Sequence, residues 1–178
     1  KQYYTYLLEQ YDEVCAVDEM SLKSLFTDMA FDGQWEPALE FMAQAYAKVS
    51  SIRDSIEGER NLQGFFMAYL NLNSYYYTMP ELELNHGYCD FFLLPDLTHY
   101  DTKHSYIIEL KMLSKKDFGA MADNGKQTKA EEQWEQAVEQ INRYADAPRV
   151  EALRQGTQLH KIIMQFEGYQ LKRIGEID

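Results

Sequence analysis

Two apolar, β-prone runs in this chain carry charge where a sheet core has no use for it. The first reads Gly87-Tyr88-Cys89-Asp90-Phe91-Phe92-Leu93-Leu94. The second, after a polar loop, reads Ser105-Tyr106-Ile107-Ile108-Glu109-Leu110-Lys111. Acids and lysines are almost never buried unless they are paired, so packing alone explains these positions poorly. Residues 109 and 111 lie two apart and share one face of a strand. If the two runs pair as a hairpin, Asp90 approaches that face as well. Two carboxylates and one lysine then converge, an arrangement suited to hydrolysis assisted by a divalent cation. The plainer alternative is an aspartate in a turn and an exposed Glu/Lys pair on an edge strand.

The surrounding pattern places these runs in a mixed α and β fold. Residues 1 to about 72 read as helical. Tyr3, Leu7, Leu8 and Tyr11 have helical spacing, and Asp18 caps a helix through Leu22, Leu25, Phe26 and Met29. After Asp32-Gly33, the segment from Pro37 to Val49 puts Leu39, Met42, Ala43 and Tyr46 on one face. A third helix, near Arg53 to Leu72, carries Ile56, Leu62, Phe65, Phe66, Tyr69 and Leu70. A β-like stretch runs from Tyr75 to Leu84, and Asn85-His86-Gly87 forms a tight turn into Tyr88–Leu94. The third strand is Ser105–Leu113. Ser114 to Gln127, with Gly119 and Gly125, reads as a flexible segment. A helix from about Thr128 to Ala145 follows, striped by Trp134, Val138, Ile141 and Ala145. Pro148 lies just beyond its end. Leu159–Phe166 and Tyr169–Ile177, joined at Glu167-Gly168, form a C-terminal hairpin. The order is helices, three strands, a helix and two strands. That predicts an α+β fold with a mixed central sheet flanked by helices.

Charge narrows the possible partners. The net charge of −12 weighs against tight, non-specific nucleic-acid binding, which depends on neutralising phosphates. The acidic surplus is not uniform. Between Lys103 and Lys129 stand six lysines and only three acids. A basic patch beside an acidic pair suits a phosphate-bearing substrate, and a solvated lysine-rich loop is the simpler explanation. Cys15 and Cys89 make neither a disulfide framework nor a zinc pattern, which fits a reducing, cytoplasmic setting. No apolar run is long enough to span a bilayer. No nucleotide-binding Gly-x-x-x-x-Gly-Lys-Ser/Thr motif is present. The chain starts Lys-Gln-Tyr-Tyr without a methionine, as an excised piece of a longer protein would.

Three segments carry a resemblance: Gly87-Tyr88-Cys89-Asp90, Ile107-Ile108-Glu109-Leu110-Lys111 and Gln140-Ile141-Asn142-Arg143-Tyr144. In this context they resemble the PD-(D/E)XK nuclease superfamily. More closely, they resemble the nuclease-like domain found C-terminal to an AAA-ATPase-like domain in many bacterial proteins. The resemblance implies a restriction-endonuclease-like αβββαβ core over residues 53–178, with residues 1–52 as a helical extension or connector. It implies Mg2+ or Mn2+ held by Asp90 and Glu109, with the Leu110 carbonyl completing the inner shell. Lys111 would orient the attacking water. Gln140 and Tyr144, one helical turn apart, match a Gln-x-x-x-Tyr motif beside the active site. Glu59 corresponds to a helix glutamate that adds a metal ligand directly or through water, and Glu57 is its alternative. Glu81 and Glu83 share a face of the first strand, where they either approach the metal or stand as alternating surface acids. The implied substrate is nucleic acid, DNA before RNA, and the implied partner is an N-terminal ATPase-like domain of the parent chain. A second hypothesis is an inactive nuclease-like module that docks to an ATPase domain or another protein; the negative charge and the excess of tyrosine favour it.

Overall fold

The computed structural model describes residues 19–52, 58–113 and 123–178. Three helices come first: α1 (Glu19–Phe31), α2 (Glu36–Ile52) and α3 (Glu59–Leu70). Strands β1 (Tyr76–Leu84), β2 (Gly87–Pro95) and β3 (His104–Leu113) follow. Then come α4 (Asp123–Ala145), α5 (Pro148–Arg154), β4 (Gln158–Glu167) and β5 (Gln170–Glu176). The expectations at Tyr3–Tyr11, the Asp18 cap, Glu57 and the start of the third helix near Arg53 lie outside the described residues.

The strands form one sheet in the order β1-β2-β3-β4-β5. Three pairings are antiparallel and β3–β4 is parallel, with α4 and α5 making the crossover. This is a mixed α+β sheet flanked by helices, consistent with a restriction-endonuclease-like fold. Asn85 and His86 both have positive φ, at 44° and 65°. Two such residues make the type I′ turn that matches strand twist, so the β1–β2 hairpin is tight.

Each sheet face has its own core. On one face Leu22, Phe26 and Met29 of α1, Leu39, Met42 and Tyr46 of α2, and Phe65, Phe66 and Tyr69 of α3 pack on Tyr106, Ile108, Leu110 and Phe166. On the other, Trp134, Ala137, Ile141 and Tyr144 of α4 and Val150 of α5 pack on Cys89, Phe92, Ile107 and Ile163. The apolar faces of α1 and α2 are thus part of the same core as α3 and the sheet. Because side chains alternate along a strand, Glu109 and Lys111 share Ile107's face, toward α4.

Two boundaries differ from the sequence expectation. Helix α4 starts at Asp123 rather than Thr128 and runs through Gly125; a single glycine costs a helix only about 1 kcal/mol, which a 23-residue helix tolerates. Pro148 opens α5 rather than merely following α4. Proline suits a first helical turn, and seven residues with Val150 as their one buried side chain are too few to show a period.

Candidate active site

Strands β2 and β3 pair only through Phe91–Leu93 and Tyr106–Ile108. Beyond Ile108 the two strands part, and Asp90 stands at the opening. Its Oδ2 accepts the Leu110 N–H at 2.7 Å. A side-chain carboxylate thereby satisfies a main-chain donor left without a ladder partner. Its Oδ1 accepts Gln63 Nε2 of α3 at 2.5 Å. The other neighbour of β2 is interrupted at the same point. Pro80 pairs Phe91 and Leu82 pairs Cys89, but between them Glu81 takes a φ of 48°. Left-handed backbone is uncommon outside glycine, so β1 carries local strain beside Asp90 while β3 pairing stops on the other side.

Glu109 is 2% exposed. Its Oε2 accepts the Asp90 N–H at 3.4 Å, and its Oε1 accepts Lys111 Nζ at 2.7 Å. Lys111 Nζ also donates to Gln140 Oε1 at 3.1 Å. Gln140 Nε2 in turn donates to Tyr144 Oη at 2.5 Å. One hydrogen-bonded chain therefore runs from the sheet into α4, and Asp90, Glu109, Lys111, Gln140 and Tyr144 all belong to it. Tyr144 is itself buried. A Cβ on Gly87 would stand 2.6 Å from Tyr144 Oη, so the hairpin reaches the helix only because residue 87 has no side chain.

The electrostatics follow from burial. Desolvation raises the proton affinity of Glu109, Asp90 adds to it, and Lys111 opposes; the result is a carboxyl pushed up to about 7. Burial raises Asp90 too, against the Leu110 N–H, Lys111 and Gln63, with Glu59 adding to the rise. Burial alone lowers Lys111, but Glu109, Asp90 and Glu59 outweigh it and hold the ammonium charged. When both carboxylates ionise, the site holds two negative charges against one positive. Hard oxygen donors with surplus negative charge fit magnesium or manganese.

Glu59 opens α3 as an exposed side chain that reaches Asp90 and Lys111 through its field, without a hydrogen bond to either. Among the described residues no cluster of three or more His, Cys, Asp or Glu side chains is gathered in metal-binding fashion. The carboxylates that could serve as donors are therefore the pair Asp90 and Glu109. Glu81 and Glu83 are exposed on β1, and neither joins the hydrogen bonds around Asp90. Three of the four histidines bind neighbouring side chains: His99 meets Asp96, and His104 meets His160, which meets Glu176; His86 is exposed in the β1–β2 turn. Burial pushes the Cys89 thiol up to about 12, so it is no nucleophile. Lys103 pairs with Asp101, and Lys115 and Lys116 lie outside the described residues.

Two participants escaped the sequence reading. Gln63 contacts Asp90, and its only signal is its place four residues after Glu59, on the same helical face. Gly87 contacts Tyr144 across 57 positions of chain, a closeness that no local pattern encodes.

The mixed sheet, the opening between β2 and β3 and the acid–acid–lysine set define a restriction-endonuclease-like domain. A family model described as the PD-(D/E)XK nuclease superfamily matches residues 57–176. The chain belongs to that superfamily. No curated protein and no solved structure matches it.

Proposed function

We propose that this domain hydrolyses phosphodiester bonds in nucleic acid, DNA in the first instance, with Mg2+ or Mn2+. The observation that carries the reading is the continuous set of contacts from Asp90 and Glu109 through Lys111 and Gln140 to Tyr144. A bound divalent ion would supply Lewis acidity and acidify water. Asp90 and Glu109 would hold it, with Glu59 acting through water. The Leu110 carbonyl is a further donor, because a strand residue's N–H and C=O face the same edge and this N–H faces Asp90. Lys111 orients the attacking water and offsets charge that develops on the phosphate. Gln140 fixes Lys111. Tyr144, buried and bonded to Gln140, acts through Gln140 as a positioning residue.

The association with an ATPase-like domain of a longer parent chain and the cytoplasmic setting belong to the same proposal. No described helix is long and apolar enough to cross a membrane. The net charge of −12 favours a second reading, a docking module without activity.

The deciding experiment is cleavage of plasmid and oligonucleotide DNA in magnesium or manganese. Asp90→Ala and Lys111→Ala should abolish cleavage while the circular dichroism spectrum stays native. Cleavage by both variants at the wild-type rate refutes the proposal. Calorimetry separates the second reading: an ion site lost in Glu109→Gln supports the enzyme, and no binding at millimolar metal supports the module.

A further inference from the structure

The site poses an electrostatic problem that its own residues do not solve. A nucleic-acid strand must approach two carboxylates in a domain of strongly negative charge, and Lys111 is already committed to Glu109 and Gln140. Phosphates flanking the reacting one need cations of their own.

Two arginines neighbour the site along their helices. Arg143 is exposed on α4, three residues from Gln140, the glutamine that touches Lys111. Arg60 is exposed on α3, three residues from Gln63, the glutamine that touches Asp90. Residues three apart are neighbours on a helix surface, so each arginine borders a side chain that contacts the site. The helices lie on opposite faces of the sheet, with the opening between β2 and β3 between them. Among the described residues neither guanidinium has a carboxylate partner. Of the other described arginines, Arg154 pairs with Glu151 and Arg173 with Glu131, and Arg149 donates to the Glu83 carbonyl at 3.4 Å. Arg143 is also pre-positioned. Its carbonyl accepts Asn85 Nδ2 of the hairpin turn at 2.8 Å, and its guanidinium lies over the Tyr144 ring, 5.7 Å from the centroid.

We propose that Arg60 and Arg143 form a two-sided phosphate clamp that holds a nucleic-acid strand across the opening between β2 and β3. This rests on the nuclease reading and adds to it the contacts that let an acidic domain bind a polyanion. The clamp grips the backbone, so it is indifferent to base sequence. Guanidinium groups suit the task because their planar fork meets phosphate oxygens in pairs.

The test is fluorescence anisotropy of labelled duplex and single-stranded oligonucleotides over a salt series. EDTA is present, so that metal-dependent cleavage does not run. Arg60→Gln and Arg143→Gln should each lower the slope of log K against log salt by about one for duplex. The double variant should lose about two, and Arg→Lys at either position should keep the slope. Thermal midpoints of all variants should match the wild type, since both side chains are exposed. Wild-type binding with slopes unchanged in both Gln variants overturns the clamp and leaves the nuclease reading standing. Absence of any wild-type binding overturns the clamp, and cleavage in magnesium then decides the nuclease reading by itself. Reduced slopes together with undiminished cleavage by Asp90→Ala support the clamp and sink the assignment of the catalytic residues.

Discussion

Gly87→Ala is the sharpest structural perturbation available at this site. The added methyl would stand 2.6 Å from Tyr144 Oη, 2.7 Å from Cε1 and 3.1 Å from Cζ, all inside ordinary carbon contact distance. The obstacle is a rigid ring, 1% exposed, in the same buried cluster as Cys89, Ala137 and Ile141, so it cannot swing into solvent. Overpacking of this kind costs about 1–3 kcal/mol. Glycine to alanine in a strand would otherwise stabilise by about 0.4–1 kcal/mol through the unfolded chain, so a net loss isolates the clash. Thermal unfolding should fall by about 2–4 °C for each kcal/mol in a chain of this size. The contact also makes a prediction for pairs. Tyr144→Leu removes the obstructing atoms, so the double variant should be no less stable than Tyr144→Leu alone, and the coupling should equal the Gly87→Ala cost. Because Tyr144 holds Gln140 and Gln140 holds Lys111, Gly87→Ala should also slow cleavage without touching a charged group. A cycle additive within about 0.5 kcal/mol, or a Gly87→Ala domain as stable as the wild type, would refute the claim that the hairpin and α4 meet through this glycine.

Two further outcomes follow from the buried charges. Glu109 protonates near 7 in the folded domain and near its usual 4.5 when unfolded, so the folded state binds more protons between those values and metal-free stability falls as pH rises through that window. The span corresponds to about 3 kcal/mol at most, and magnesium should restore stability at pH 8 but not at pH 5; urea titrations at both pH values, with and without magnesium, read this directly, and a metal-free domain equally stable at both speaks against the buried carboxyl. Replacing the pair, Glu109→Met with Lys111→Met, should leave a metal-free domain about 1–2 kcal/mol more stable at neutral pH yet inactive, because apolar replacement of a buried ion pair is often stabilising, here reduced by the donor that Gln140 loses. Chemical denaturation measures it, and a clearly less stable double variant would make the pair a structural brace.

What the sequence displayed depended on the range of the interaction. Helical spacing in Leu22–Met29 and Leu39–Tyr46 and the alternation through Ile107, Glu109 and Lys111 are local, and the elements stand where they point. The Asn85-His86 turn is equally local, since two positive-φ residues suffice to reverse the chain. Charge inside apolar strands flagged Asp90, Glu109 and Lys111, because nothing in a core explains such residues. The unread features depend on atoms far apart in the chain. Gln63 looks like any polar helix residue until α3 is laid beside Asp90. Gly87 looks like a turn residue until the Tyr144 ring is packed against it. Helix α5 was missed for the opposite reason: it is too short to repeat a pattern.

The distribution of unfavourable features bears on the choice between enzyme and docking module. At the Asp90 end of β2 the fold gives up ladder bonds to β3, accepts a left-handed Glu81, and buries a carboxylate whose ionisation is resisted by its surroundings. The β3–β4 pairing runs from His104–Gln158 to Leu113–Glu167 without a break, and one further irregularity lies between Gln165 and Phe166, where β4 meets β5. A docking surface would place its singular residues on the outside, where a partner meets them, whereas Glu109 and Tyr144 are buried. Strain and buried charge gathered at one opening, with every member tied to the next by hydrogen bonds, are what a preorganised site requires. A divalent cation at the two carboxylates would remove the largest of these penalties, and that makes the hydrolase the better physical account of why the chain keeps them.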